Sequence, residues 1–408
     1  MSFDSAPRIA ITGYGCVTAL GSDSITTWNA LLEGRSVRAP ITAISLEGCR
    51  VTEGAQAILP KLSGYTAKQL SRLSRASRLL LPAATEALGM ASLLDDCGHS
   101  RLKRLELSIS TTACGMEKGE NFLDAIWQVA PQGQTARVAH YQAQQQISEL
   151  HRHFEFTGPA MIVANACAGG GNAIGHAADL IRCGMADCVL AGGYDALCEL
   201  VFAGFDSLQS LAPEACRPFD QNRRGLMLGE GAGFLVLENE QKARSRKAHV
   251  LGVVAGYGHS TDRGHLTQPE QEGLPLEQAM KQALAQAQLP ASSIGYINAH
   301  GTGTLFNDKA EAKAFARLFT PYSTRVSSTK AATGHTLGAA GAIEAIISLL
   351  ALNTGHLPPQ LNVLNPEPII ADFLVPNIQQ APSTTLQATM SVNLGFGGSN
   401  AALIFTKP

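Results

Sequence analysis

Apolar and polar positions alternate along the chain in two registers, short apolar runs closed by glycine or polar turns and longer segments of helical period. Arg8-Ile-Ala-Ile-Thr-Gly-Tyr-Gly15 and Gly252-Val-Val-Ala-Gly-Tyr-Gly258 each read as an apolar strand ending in a glycine turn. The runs Cys188 to Gly192, Gly233 to Glu238, Gly295 to His300 and Ala388 to Asn393 also predict strands, and Pro275 to Gln288 predicts a helix. Alternation of this kind points to α/β architecture. A second pair of segments follows in the same order, Val163 to Ile181 and Thr333 to Ile347, each a polar turn opening a helix of small residues. The repeated order predicts an internal duplication, with halves 1–250 and 251–408 meeting after the charged stretch Glu238 to His249. Gly, Ala and Ser on the central helices fit burial between sheets. The proline-rich segment Pro358 to Pro382 reads as an ordered surface excursion.

One helical run breaks the pattern of its neighbours. Leu337 to Leu352 is almost wholly apolar, yet Glu344 lies inside it and Lys330 and His335 precede it. A buried charge must find a partner or change its protonation state. The three groups therefore mark either a built electrostatic site or a core helix with one satisfied ion pair.

Composition narrows the classes. The 408 residues are 45% hydrophobic and 16% charged, and the 40 glycines suit much buried backbone with close helix–strand or subunit contacts. A net charge of -2 gives no argument for nucleic acid or an anionic membrane. Met1 to Arg8 lacks an apolar signal core, and no uninterrupted apolar run reaches membrane-spanning length, so a cytoplasmic protein is predicted. Nine cysteines without a Cys-x-x-Cys unit favour neither a disulfide framework nor a zinc site. Most read as small buried hydrophobes.

Cys167 differs from the other eight. It stands just before a helix and is followed within four residues by three glycines, so helix-terminal amides can stabilise a thiolate there and let a thioester approach the backbone. His300, in Asn298-Ala-His-Gly-Thr-Gly-Thr304, and His335 each occupy a Gly/Thr turn from which an imidazole can project into a cavity.

Five motifs then occur in order: Asn165-Ala-Cys-Ala-Gly169, Leu228-Gly-Glu-Gly-Ala-Gly233, Asn298 to Thr304, Ser327-Ser-Thr-Lys330 with Gly334-His335, and Asn393-Leu-Gly-Phe-Gly-Gly-Ser-Asn400. With them the chain resembles, from Ile9 to Phe405, the β-ketoacyl-acyl carrier protein synthases of the thiolase superfamily, nearest the elongating type called synthase II. The resemblance implies a thiolase-like α/β fold, duplicated βαβαβαββ halves stacked as a five-layered α-β-α-β-α core. It implies a decarboxylative Claisen condensation between an acyl chain on Cys167 and malonyl-acyl carrier protein. In that reaction His300 and His335 would donate to the enolate oxygen, where preorganised donors lower the barrier. Lys330 would order the histidines with Glu344 as its partner. The backbone amides of Cys167 and Phe396 would form the oxyanion hole, and Phe396 would gate the acyl pocket.

The same resemblance assigns Thr302 and Thr304 to the phosphopantetheine arm, Thr112 and Phe205 to the acyl pocket, and Tyr141 to Ile147 to a partner's share of that pocket. It places Lys68 and Arg72, with Arg75, in a carrier-docking region where Gln209 replaces a basic residue. No metal and no bound cofactor are implied, because substrates arrive on the phosphopantetheine of acyl carrier protein. The implied partners are acyl- and malonyl-loaded carrier and either a second copy or a chain-length-factor-like subunit.

Thr112 and the glutamines at 142, 144, 145 and 146 depart from the more apolar residues usual in synthase II. They fit a more polar pocket for unsaturated, aryl or polyketide-like chains, as in type II polyketide or aryl-polyene synthesis, or else glutamines on an outer helix face. Housekeeping fatty-acid elongation and a non-catalytic chain-length-factor or scaffold subunit are the other readings, the latter opposed by Cys167 with both histidines.

Overall fold

The structure, a computed structural model, describes residues 7–128, 138–376 and 386–408. The first half supplies strands β1 (Ile9–Val17), β2 (Glu106–Ser110), β3 (Ala160–Val163), β4 (Cys188–Asp195) and β5 (Gly231–Asn239). The second supplies β6 (Gly252–Thr261), β7 (Ile294–Asn298), β8 (Arg325–Ser327), β9 (Ala388–Gly395) and β10 (Ser399–Thr406). Their spatial order is β3-β2-β4-β5-β1-β6-β10-β9-β7-β8. Counted within each half, both orders are third, second, fourth, fifth, first. The pairings also repeat: the second strand of each half is parallel to the third and fourth, and the fifth is antiparallel to the fourth and first. The fold is therefore a duplication in topology. The two sheets are also joined along one edge, where Ala10 faces Val253 and Ile11 faces Gly252 in antiparallel register, so the layers share one continuous ten-stranded sheet.

Helices α1 (Arg75–Met90), α2 (Gly169–Arg182), α3 (Leu274–Ala287), α4 (Leu305–Phe319) and α5 (Ala340–Thr354) complete the layers. Helix α1 covers β1 and β5, α3 covers β6 and β10, and α2 and α5 lie between the two sheet halves against strands of both. This is the five-layered α-β-α-β-α arrangement of the thiolase-like fold.

The paired Gly-x-Gly sequences do not end their strands, as their pattern predicts; β1 and β6 run through them. Their role is close approach. A Cβ on Gly13 or Gly15 would lie 2.1 Å from the Ala87 carbonyl oxygen or 2.3 Å from that of Ala83, and on Gly256 or Gly258 2.1 Å from Ala283 or 2.0 Å from Ala279. Glycines two apart on a strand thus seat carbonyls four apart on the covering helix, identically in both halves.

The central helices are related in the same way. Each begins after a short 3-10 turn, Ala166–Ala168 before α2 and Leu337–Ala339 before α5. The first residue of each turn is left-handed, with φ of +51° at Ala166 and +53° at Leu337. Gly338 therefore occupies in the second half the place that Cys167 occupies in the first. The helix starts abut: a Cβ on Gly341 would lie 2.4 Å from the Gly171 nitrogen.

The segment Leu337–Thr354 is long and apolar enough to cross a membrane despite its interruption by Glu344, but 89% of it is buried inside the protein. Its apolar character is that of a helix enclosed by two sheet halves. The segment from Pro358 packs onto β8, with the Val375 N–H donating to the Val326 carbonyl at 2.9 Å. Its continuation from residue 377 to Pro382 lies outside the described residues.

Candidate active site

The chain leaves β3 and reaches Cys167 through the strained backbone of Ala166, which turns the sulfur toward the end of β9. Gly395 passes directly over it, since a Cβ there would lie 3.3 Å from the Cys167 nitrogen. Two backbone N–H groups, of Phe396 and of Cys167 itself, face the sulfur. Cys167 is only 5% exposed, and burial pushes its thiol up to about 12. Lys330 and the two N–H groups pull the other way without overcoming burial, while Asp195 adds to it. The helix-terminal amides do not hold a thiolate in the resting site, because desolvation of a fully enclosed sulfur exceeds what they return.

His300 and His335 meet edge to face, with ring centroids 5.2 Å apart and planes at 86°. Both are buried, and burial first and Lys330 second hold both well below the usual imidazole range. The backbone of His335 is clamped by the residues around Leu228: its N–H donates to the Met227 carbonyl at 2.7 Å and its carbonyl accepts from Gly229 at 3.0 Å. That accounts for the Leu228 to Gly233 motif, whose Glu230 carboxylate anchors the Arg75 guanidinium at 2.7 Å and the Ala57 N–H at 2.9 Å.

Lys330 begins a one-turn helix, Lys330–Thr333, and its ammonium pairs with Glu344 in the interior, the two side chains 1% and 3% exposed. The second Glu344 oxygen accepts from the Asn393 amide at 2.6 Å. Burial raises the Glu344 carboxyl, and the Lys330 charge opposes it.

Two buried carboxylates brace the site and carry no signal in the motifs. Glu311, on α4, accepts the N–H groups of His300 at 2.8 Å and Gly301 at 2.6 Å, and burial pushes it up to about 8. Its only trace in the sequence is an acidic position at helical spacing after the Thr304 turn. Asp195, at the end of β4, accepts the Thr111 hydroxyl at 2.7 Å and the N–H groups of Ala113 at 2.7 Å and Gly338 at 2.6 Å. It thereby ties the loop after β2 to the turn that carries His335.

A cleft of about 400 Å³ has Cys167, His300 and His335 in its lining, together with Thr302, Thr304, Phe205 and Phe396. The Thr302 and Thr304 hydroxyls are 2.9 Å apart. Phe396 is 37% exposed and stacks on Phe205, with centroids 5.5 Å apart and planes at 28°. Gly397 and Gly398, at φ of +83° and +86°, shape the turn behind it in the left-handed region. Phe205 thus meets Phe396 at the cleft.

Thr112, assigned with it to an acyl pocket, is exposed, is not in the cleft lining, and spends its N–H on Asp195 at 2.9 Å. Of the glutamines, 142 and 144 are exposed, 145 is half-buried and 146 is in the core, accepting from the Tyr194 hydroxyl at 3.3 Å. Lys68 and Arg72 are exposed on the short helix Ala67–Arg72. Arg75 is not available beside them, because Glu230 holds it.

Known proteins match this chain over nearly its whole length. Residues 6–243 match the family described as beta-ketoacyl synthase, N-terminal domain, and residues 251–364 match beta-ketoacyl synthase, C-terminal domain. The chain belongs to the β-ketoacyl synthase family. It is 36% identical over 403 residues to nodulation protein E of Rhizobium meliloti (strain 1021), covering 98% of each chain. It is 33% identical over 414 residues to 3-oxoacyl-[acyl-carrier-protein] synthase 2 of Staphylococcus aureus (strain COL), again 98% of each. Among solved structures, the ishigamide ketosynthase/chain length factor superposes with a TM-score of 0.90 at 30% identity, covering 99% of this chain and 100% of that one. This β-ketoacyl synthase is a catalytic ketosynthase, and its chemistry is the ketosynthase condensation. Among the described residues no group of three or more His, Cys, Asp and Glu is placed to hold a metal ion.

Proposed function

We propose that Cys167 carries the growing acyl chain and that the chain is extended by malonyl-acyl carrier protein in a type II polyketide or aryl-polyene-like pathway. The observation that carries the chemistry is the convergence of Cys167, His300 and His335 in one buried cleft beside Thr302 and Thr304. In the first half-reaction the Cys167 sulfur attacks the acyl thioester, its proton passes to the departing arm thiol, and the N–H groups of Cys167 and Phe396 hold the oxyanion. In the second, the two neutral histidines donate to the malonyl thioester oxygen, carbon dioxide leaves, and the resulting carbon attacks the acyl-cysteine carbonyl. Its bond to sulfur breaks, releasing Cys167, which takes up a proton from water to return to the thiol. Burial, helped by Lys330 that Glu344 holds, keeps both histidines uncharged. Residues 1–250 contribute the nucleophile and residues 251–408 the donors.

A dimeric partner fits the outer end of the sheet. Strand β3 is the last strand there, Met161 on it is 50% exposed, and Thr112 is also open. A second copy or a chain-length-factor-like subunit would cover them and close the acyl pocket with its own Tyr141 to Ile147 region. Likeness to a ketosynthase/chain length factor supports the heterodimer. Lys68 and Arg72 would receive the acidic carrier, in the cytoplasm.

Housekeeping fatty-acid elongation is the second reading, and Gln146 favours it. Its side chain turns into the core beside Tyr194, which removes it as evidence for a polar pocket. Intact-mass measurement after incubation with a panel of acyl-carrier proteins tests both readings. Polyunsaturated or polyketide-like chains should load in preference to long saturated ones, and Cys167→Ala should load none. An acyl adduct on that variant would refute the nucleophile, and preference for long saturated chains would transfer the enzyme to fatty-acid synthesis.

A further inference from the structure

Resting on the reading above, we infer that Arg224 binds the phosphodiester at the root of the carrier's pantetheine arm. Arg224 is exposed and lines the mouth of the cleft that contains Thr302, Thr304 and Cys167. Its backbone is fixed to the threonine loop from both sides. The buried guanidinium of Arg223 donates to the carbonyls of Thr304 at 3.1 Å and Leu305 at 3.0 Å, and the N–H of Gly225 donates to the carbonyl of Gly303 at 3.0 Å. Whatever passes along Thr302 and Thr304 therefore passes a cation whose backbone is fixed to the same loop.

Among the described residues no carboxylate lies within ion-pair distance of Arg224, whereas Arg223 beside it is paired with Glu367 at 2.8 Å. The cleft lining contains one carboxylate, Asp262, which is nearly buried and occupied by the N–H of Glu270 at 3.2 Å and the amide of Asn400 at 3.1 Å. His300 and His335 are held neutral. Among the described residues Arg224 is thus the one unpaired cation in the lining, and a guanidinium presents the planar fork that matches two phosphate oxygens. An arm whose thioester end reaches Cys167 and whose middle lies along the threonines leaves its phosphate at the mouth.

The test uses two soluble thioesters of one acyl chain, on phosphopantetheine and on pantetheine, with acylation of Cys167 followed by intact mass. The wild-type protein should favour the phosphorylated thioester in kcat/KM by roughly tenfold or more, as for hydrogen bonds to a charged group. Arg224→Gln should bring that ratio close to one through a fall on the phosphorylated substrate, and Arg224→Lys should keep part of it. A wild-type ratio near one, a ratio that survives Arg224→Gln, or an equal fall on both thioesters would each overturn the assignment. So would acceptance of carrier-borne chains with neither thioester accepted. Failure of carrier-borne chains as well would overturn the underlying reading of the enzyme.

Discussion

The N–H of Leu337 donates to Nδ1 of His335 at 3.2 Å. That bond leaves Nδ1 as an acceptor, so the neutral ring carries its proton on Nε2. Because Leu337 is also the left-handed residue that opens the turn before α5, the conformation that starts the helix sets the tautomer of the histidine.

Removing that donor should separate the two half-reactions. His335→Ala should still accept an acyl chain on Cys167, while condensation falls about 10²- to 10³-fold, the effect of deleting one oxyanion donor. Intact mass reads the first and product formation the second. Normal turnover in the variant would sink the enolate role.

The thiol of Cys167, pushed up to about 12, should be protonated throughout the neutral range. Its alkylation by iodoacetamide should then rise about tenfold per pH unit from pH 7 to 9 with no plateau, since the thiolate is the nucleophile. A plateau near neutrality would mean that the helix-terminal amides do hold the thiolate.

Glu344→Ala strands the Lys330 ammonium in the interior and leaves the Asn393 amide without its acceptor. The loss should be about 3–5 kcal/mol, and Lys330→Met with Glu344→Leu should recover much of it by removing both charges. Chemical denaturation of the two variants makes the comparison. A double variant as unstable as the single one would show that the pair itself, not the stranded charge, sets the cost.

Asp195 should make folding pH-dependent in an unusual direction. Burial raises its carboxyl from 3.8 to about 6, so between those values the folded protein keeps a proton that the unfolded chain has released. Stability from this group is full below the lower value and is lost as pH rises through the upper one, about 3 kcal/mol over two pH units. Denaturation of wild type and Asp195→Asn at pH 4 and pH 7 isolates it. The variant should lack this decline, and equal declines in both proteins would remove Asp195 as the cause.

Alanine at Gly13 or Gly258 should cost about 1–3 kcal/mol or more, because the added carbon meets a helix carbonyl that cannot move alone. Thermal unfolding should show comparable losses in the two halves. A neutral substitution at either would show that the covering helix is free to shift.

Much of the fold was readable along the chain because its cues are local. The strand runs, the helix from Leu274 to Ala287 and the paired turns at Cys167 and His335 follow from period and from glycine placement, and the structure repeats them in both halves. The Gly-x-Gly pairs misled, since a glycine that ends a strand and one that admits a helix carbonyl have the same local signature.

Residue order alone marked the candidate groups: a cysteine before a small-residue helix, two histidines in Gly/Thr turns, and a lysine and a glutamate around an apolar run. Tertiary structure decided the states of those groups. The protonated thiol of Cys167, the uncharged histidines, the inward turn of Gln146 and the bracing by Asp195 and Glu311 all depend on burial and on partners far away in sequence. Desolvation and hydrogen bonding act through space, and no local pattern of residues records how much water the assembled sheets exclude.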